Sequence, residues 1–132
     1  METKKLFFEL LRYTIKGETL SNEAKKCVTN EDISALFVLA KKHDLAPILA
    51  YALNQNALIQ KDNKVHQKFL QEQSIAVFRY ENINYELNKA VELFEKHKIL
   101  NIPLKGSVIR SLYPQPWLRT SCDIDILIKE IS

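Results

Sequence analysis

Residues 99–128, ILNIPLKGSVIRSLYPQPWLRTSCDIDILI, hold the grammar that decides the fold. Ile99 to Leu104 is short, apolar and partly β-branched, which predicts a strand with Leu100, Ile102 and Leu104 on one face. Pro103 has no N–H to give to a ladder, so this strand belongs at a sheet edge or near its own end. Lys105-Gly106-Ser107 reads as a turn and Val108 to Tyr113 as a short helix. Tyr113-Pro114-Gln115-Pro116-Trp117 reads as a loop whose prolines forbid helix. Cys122 to Ile128 is a second strand.

Two features of this stretch bear on chemistry. Asp123 and Asp125 stand two apart in a strand, so both side chains project from one face while Ile124, Ile126 and Ile128 cover the other. Carboxylates held side by side repel each other unless a cation lies between them. Such a pair points to a divalent metal, most naturally Mg²⁺ held through carboxylate oxygens and waters. The same D-x-D also fits a strand end whose acids merely face solvent. Gly106-Ser107 sits where a strand turns into a helix, and a helix N-terminus offers free backbone N–H groups and a dipole suited to phosphate. An ordinary turn with a serine N-cap would look identical.

Working back from residue 98, strand signals vanish and apolar residues recur at helical spacing. Val65, Phe69, Ala76, Tyr80, Ile83, Leu87, Val91 and Phe94 advance by threes and fours, with Gln73 the one polar member. They predict one helix from about Asn63 to Lys98, burying Phe69, Tyr80, Ile83, Leu87 and Phe94, with Phe78 and Tyr85 interrupting its polar face. Upstream, Leu6, Phe7, Leu10, Leu11 and Ile15 form a stripe that Gly17 ends as a left-handed cap. Thr29 and Asp32 stand three apart like a capping pair before Ile33, Leu36, Phe37 and Ala40. Pro47 suits the first turn of a short helix bearing Ile48, Leu49, Ala52 and Leu53.

The chain has 132 residues, 46% of them hydrophobic, enough for one domain or a small domain joined to part of another. Its 19 basic and 16 acidic residues are scattered, as on a solvated surface, and give no indication of nucleic-acid binding. Cys27 and Cys122 are far apart and lack C-x-x-C spacing, which favours a reducing, cytoplasmic setting. No stretch is long enough to cross a bilayer, and the N-terminal run, broken by Glu9 and Arg12, reads as an amphipathic helix rather than a signal peptide. His43, His66 and His97 show no metal-ligand spacing.

Leu104-Lys105-Gly106, Tyr113-Pro114, Arg119 and Asp123-Ile124-Asp125-Ile126-Leu127-Ile128 together resemble the signature of the uncharacterised bacterial nucleotidyltransferase family, within the polymerase-beta-type superfamily. The resemblance is specific over residues 104 to 128. It implies an α+β chain: a helical N-terminal region, residues 1–61, followed over 62–132 by the opening α-β-α-β of a mixed-sheet nucleotidyltransferase core. It also implies nucleotidyl transfer from an NTP, with Asp123 and Asp125 as catalytic metal ligands for Mg²⁺ and Gly106-Ser107 cradling phosphates. Lys105 and Arg119 would offset phosphate charge, or serve as surface residues or carboxylate partners. Superfamily members use a third carboxylate on a later strand, so the core is expected to be truncated here, the fragment inactive, and the exposed strand edge available for self-association. The acceptor is unidentified, and the rival readings are a non-catalytic helical binding module and a catalytically dead nucleotide binder.

Overall fold

The computed structural model describes residues 1–104, 109–119 and 124–129. The described elements are five helices followed by two short strands, an α+β arrangement. The helices are α1 (Thr3–Lys16), α2 (Asn22–Lys26), α3 (Asn30–Lys42), α4 (Ala46–Gln55) and α5 (Lys64–Lys96). The strands are β1 (Asn101–Leu104) and β2 (Asp125–Ile128), with 3₁₀ turns at Arg110–Leu112 and Pro116–Leu118 between them. Two compact units result, Met1–Ile75 and Ala76–Ser132, and the division falls inside α5. Among the described residues no helix is long and apolar enough to cross a membrane.

The first unit is built on α4. Ala46 to Ala50, Ala52 and Leu53 are all buried, so this helix is covered nearly all round, and its alanines let α1 and α3 approach closely. Leu6, Phe7 and Leu10 from α1 and Ile33, Leu36 and Ala40 from α3 complete the layer. Phe69 of α5 is fully buried and meets Phe37 edge to face, ring centroids 5.0 Å apart.

The stripe on α1 is displaced from the one expected. Ile15 is 63% exposed, and Thr14 is buried in its stead. Ile15 lies nine residues beyond Leu6, about 180° around the helix, whereas Thr14 falls on the buried arc. Thr14 tolerates burial because its hydroxyl donates to the Leu10 carbonyl at 3.2 Å.

Helix ends follow local chemistry. Gly17 takes φ 72°, its N–H reaching the Tyr13 carbonyl at 3.1 Å while that of Glu18 reaches Arg12 at 3.4 Å. The reciprocal capping box of Thr29 and Asp32 is formed, with bonds of 3.2 and 2.9 Å. Bonding to the Thr29 backbone N–H holds the Asp32 carboxyl below its ordinary range. Helix α2 had no sequence expectation. Ser21 caps it, and Glu9 of α1 fixes Ser21 by accepting from its N–H at 2.8 Å and its hydroxyl at 3.1 Å.

Helix α5 is continuous, as its periodicity predicts. Asn63 accepts from the Val65 N–H at 2.9 Å at its start. Its burial is lighter than expected: Phe69 is buried, but Tyr80, Ile83, Leu87 and Phe94 are half-buried, and Phe78 and Tyr85 are each 65% exposed.

In the second unit β1 and β2 form an antiparallel pair. Ile102 and Leu104 share a face as expected, but that face is exposed. The expected helix from Val108 to Tyr113 is, in its described part, a 3₁₀ turn stopped by Tyr113, which is extended before Pro114. Strand β2 begins at Asp125, not Cys122, with Ile124 just outside it. Its apolar residues do not alternate cleanly in burial either, since Ile126 is half-buried while both Leu127 and Ile128 are exposed.

Candidate functional site

The two strands are paired as Asn101 with Ile128, Ile102 with Leu127, Pro103 with Ile126 and Leu104 with Asp125. The ladder is prolonged at its other end by the Lys129 N–H, which reaches the Leu100 carbonyl at 3.0 Å. Asp125 is thus the first residue of β2, half-buried and opposite the last residue of β1. The chain leaves β1 into Lys105-Gly106-Ser107 from the position that faces Asp125. Lys105, Gly106, Ser107 and Asp123 lie outside the described residues.

Arg119, the other expected phosphate contact, follows the 3₁₀ turn Pro116–Leu118. Leu118 is buried and anchors that turn, and its N–H bonds to the Gln115 carbonyl at 3.1 Å. The Nε of Arg119 is buried with no hydrogen-bond partner among the described residues. A buried N–H of this kind is costly unless something accepts it, which suits a residue reserved for an anionic partner. Among the described residues no three His, Cys, Asp or Glu side chains cluster to hold a metal.

Sequence reasoning missed the groove of the second unit. Tyr80, Asn84 and Leu87 of α5 line it together with Arg110, Tyr113 and Pro116, around a volume of ≈ 410 Å³. Arg110 is only 5% exposed, and its guanidinium carbon lies 5.6 Å from the centre of the Tyr80 ring. Tyr80 read as core because its spacing is helical. The available signal was Arg110 itself, a charged residue three positions before the Tyr113-Pro114 part of the signature.

No curated protein and no solved structure matches the chain significantly. A family model described as uncharacterised nucleotidyltransferase matches residues 29–131, from the cap of α3 through both strands. That match spans the segment in which the Leu104–Asp125 pairing joins the two halves of the signature, and the chain therefore belongs to the uncharacterised nucleotidyltransferase family.

Proposed function

We propose that the chain transfers a nucleoside monophosphate from Mg²⁺-NTP to an acceptor hydroxyl, using the end of the β-ladder where Leu104 faces Asp125. The register carries this reading, because it brings the residue that precedes the Lys105-Gly106-Ser107 turn opposite the second aspartate of the D-x-D. Phosphate-binding and metal-binding motifs eighteen or so residues apart in the chain are useful together only if the fold joins them, and this pairing does so at the level of the backbone.

Family membership implies nucleotidyl transfer in general. The finer assignment rests on the chemistry of the donor set. Carboxylate oxygens are the ligands that Mg²⁺ prefers, and two of them from Asp123 and Asp125 leave room for waters and phosphate oxygens. When bound, the ion supplies charge stabilisation for the triphosphate and for the oxygens that attack and leave. Gly106 permits close backbone approach to phosphate, and Ser107 donates its hydroxyl. Lys105 and Arg119 offset the remaining negative charge, Arg119 through a guanidinium whose Nε still has an acceptor to find. In the reaction the acceptor oxygen bonds to the α-phosphorus, the bond from that phosphorus to the β-bridging oxygen breaks, and pyrophosphate departs. The hydroxyl proton passes to solvent or to a carboxylate.

The test is transfer of label from each α-labelled NTP, wild type beside the Asp123→Asn/Asp125→Asn double variant, with Mg²⁺ affinity measured by calorimetry on both. Asparagine keeps the shape and removes both charges, so transfer and metal-dependent nucleotide binding should collapse while the helical circular-dichroism signal is unchanged. Equal transfer by the two proteins would remove these aspartates from the site. Metal-dependent nucleotide binding without transfer would identify a nucleotide binder instead.

A further inference from the structure

The groove on the second unit has a composition that selects its ligand. Tyr80 and Tyr113 provide aromatic faces, and Pro116 and Leu87 provide further apolar walls. Aromatic faces of this kind stack on planar rings, typically for ~1–3 kcal/mol per nucleobase. Asn84 adds an amide that can donate and accept along a ring edge. Among the described lining residues there is one guanidinium, Arg110, and no carboxylate. Arg110 is buried, held against Tyr80, and permanently charged, so its field acts on the groove with little screening by water. The volume of ≈ 410 Å³ lies in the range of small-molecule sites.

We propose that this groove is the acceptor subsite and that it takes an anionic compound built on a planar ring, of the nucleoside-monophosphate class. The ring lies against the tyrosine faces, and the anionic group takes the side governed by Arg110. Polycationic acceptors such as aminoglycosides are disfavoured, since the groove offers them a like charge and no carboxylate. The assignment names the acceptor class for nucleotidyl transfer and in that respect rests on the function proposed above, but the binding itself is measurable without any transfer.

Trp117 is the single tryptophan of the chain and directly follows Pro116, which makes it a built-in reporter. The experiment follows Trp117 fluorescence without divalent metal, in wild type and in the Asp123→Asn/Asp125→Asn variant, so that the proposed NTP site is disabled. The probes are adenosine and uridine monophosphates, adenosine, ribose 5-phosphate and an aminoglycoside. Both monophosphates should give saturable changes in both proteins, with adenosine and ribose 5-phosphate each binding more weakly. Asn84→Asp places a carboxylate in the groove from a half-buried helix position, where the fold tolerates it. It should weaken monophosphate binding by roughly tenfold or more, the scale of one like-charge contact at an effective dielectric near 20, and leave adenosine unchanged. Tyr113→Ala should weaken the monophosphates and adenosine alike. A trinucleotide bound more tightly than the free monophosphate would identify a strand end as the source of the same chemistry. No Trp117 response to monophosphate, affinity unchanged by Asn84→Asp, or a preference for the aminoglycoside would overturn the proposal. Label transfer that persists while groove binding fails leaves the catalytic reading standing, and groove binding without transfer removes that reading alone.

Discussion

His66 is the place to test how the first unit resists acid. The side chain is 2% exposed, its Nδ1 accepts from the Gln60 N–H at 2.8 Å, and its Nε2 lies 3.0 Å from Oδ1 of Asn30. An acceptor role at Nδ1 requires the proton on Nε2, so the ring is the neutral Nε2–H tautomer and donates to Asn30. Burial lowers the His66 pKa from the ordinary value of about 6.5. A proton added at Nδ1 would also meet the Gln60 N–H donor head on. The unfolded chain therefore binds this proton more readily than the folded one, and the stability gained from neutral His66 is fully present above the unfolded pKa. It declines as pH falls below about 6.5 and is exhausted once pH has passed the lowered folded value, with a slope of at most about 1.4 kcal/mol per pH unit. The perturbation is His66→Phe, which fills the volume but neither titrates nor makes the two bonds. At neutral pH it should cost about 1–3 kcal/mol, two net hydrogen bonds at roughly 0.5–1.5 kcal/mol each, because exposed Gln60 and Asn30 regain water. Urea unfolding at a series of pH values between about 7 and 5 reads both quantities. Wild type should lose stability across that window more steeply than the variant. Parallel pH profiles for the two proteins would refute both the tautomer and its linkage.

Phe69→Ala should destabilise by about 3–5 kcal/mol, because it removes a fully buried ring and its edge-to-face contact with Phe37. A double-mutant cycle with Phe37→Ala should return a coupling of roughly 0.5–1.5 kcal/mol, and additive losses would deny the ring contact. Ala57 closes α4 with φ 56° and is exposed, so Ala57→Gly should raise stability by about 0.5–1 kcal/mol in the same denaturant assay. Gln73 buries its Oε1 with no partner among the described residues. Gln73→Met should therefore stabilise by about 1 kcal/mol, whereas a loss of stability would mean that the amide oxygen is satisfied.

Sequence alone determined the parts of this protein that are decided within a few residues. The capping box at Thr29 and Asp32, the left-handed Gly17, Pro47 at the head of α4 and the unbroken course of α5 are local choices, and each was legible. So was the family, since its signature is a run of particular residues rather than a shape. Local reading failed where several residues serve equally well. Helices α3, α4 and α5 end in left-handed Asp44, Ala57 and Lys98, residues that carry no such signal and adopt that conformation because the next N–H bonds five residues back, to Ala40, Leu53 and Phe94. The register of the strands was equally hidden. Apolar residues recur along both, so a slip of two would keep every face, and only the tertiary structure set Leu104 against Asp125. Tyr80 and Arg110 show the same division. Helical spacing made the one a core residue and left the other unremarked, and only the fold laid the guanidinium on the ring at the wall of a groove, because contacts between residues thirty apart in the chain depend on packing rather than on local pattern.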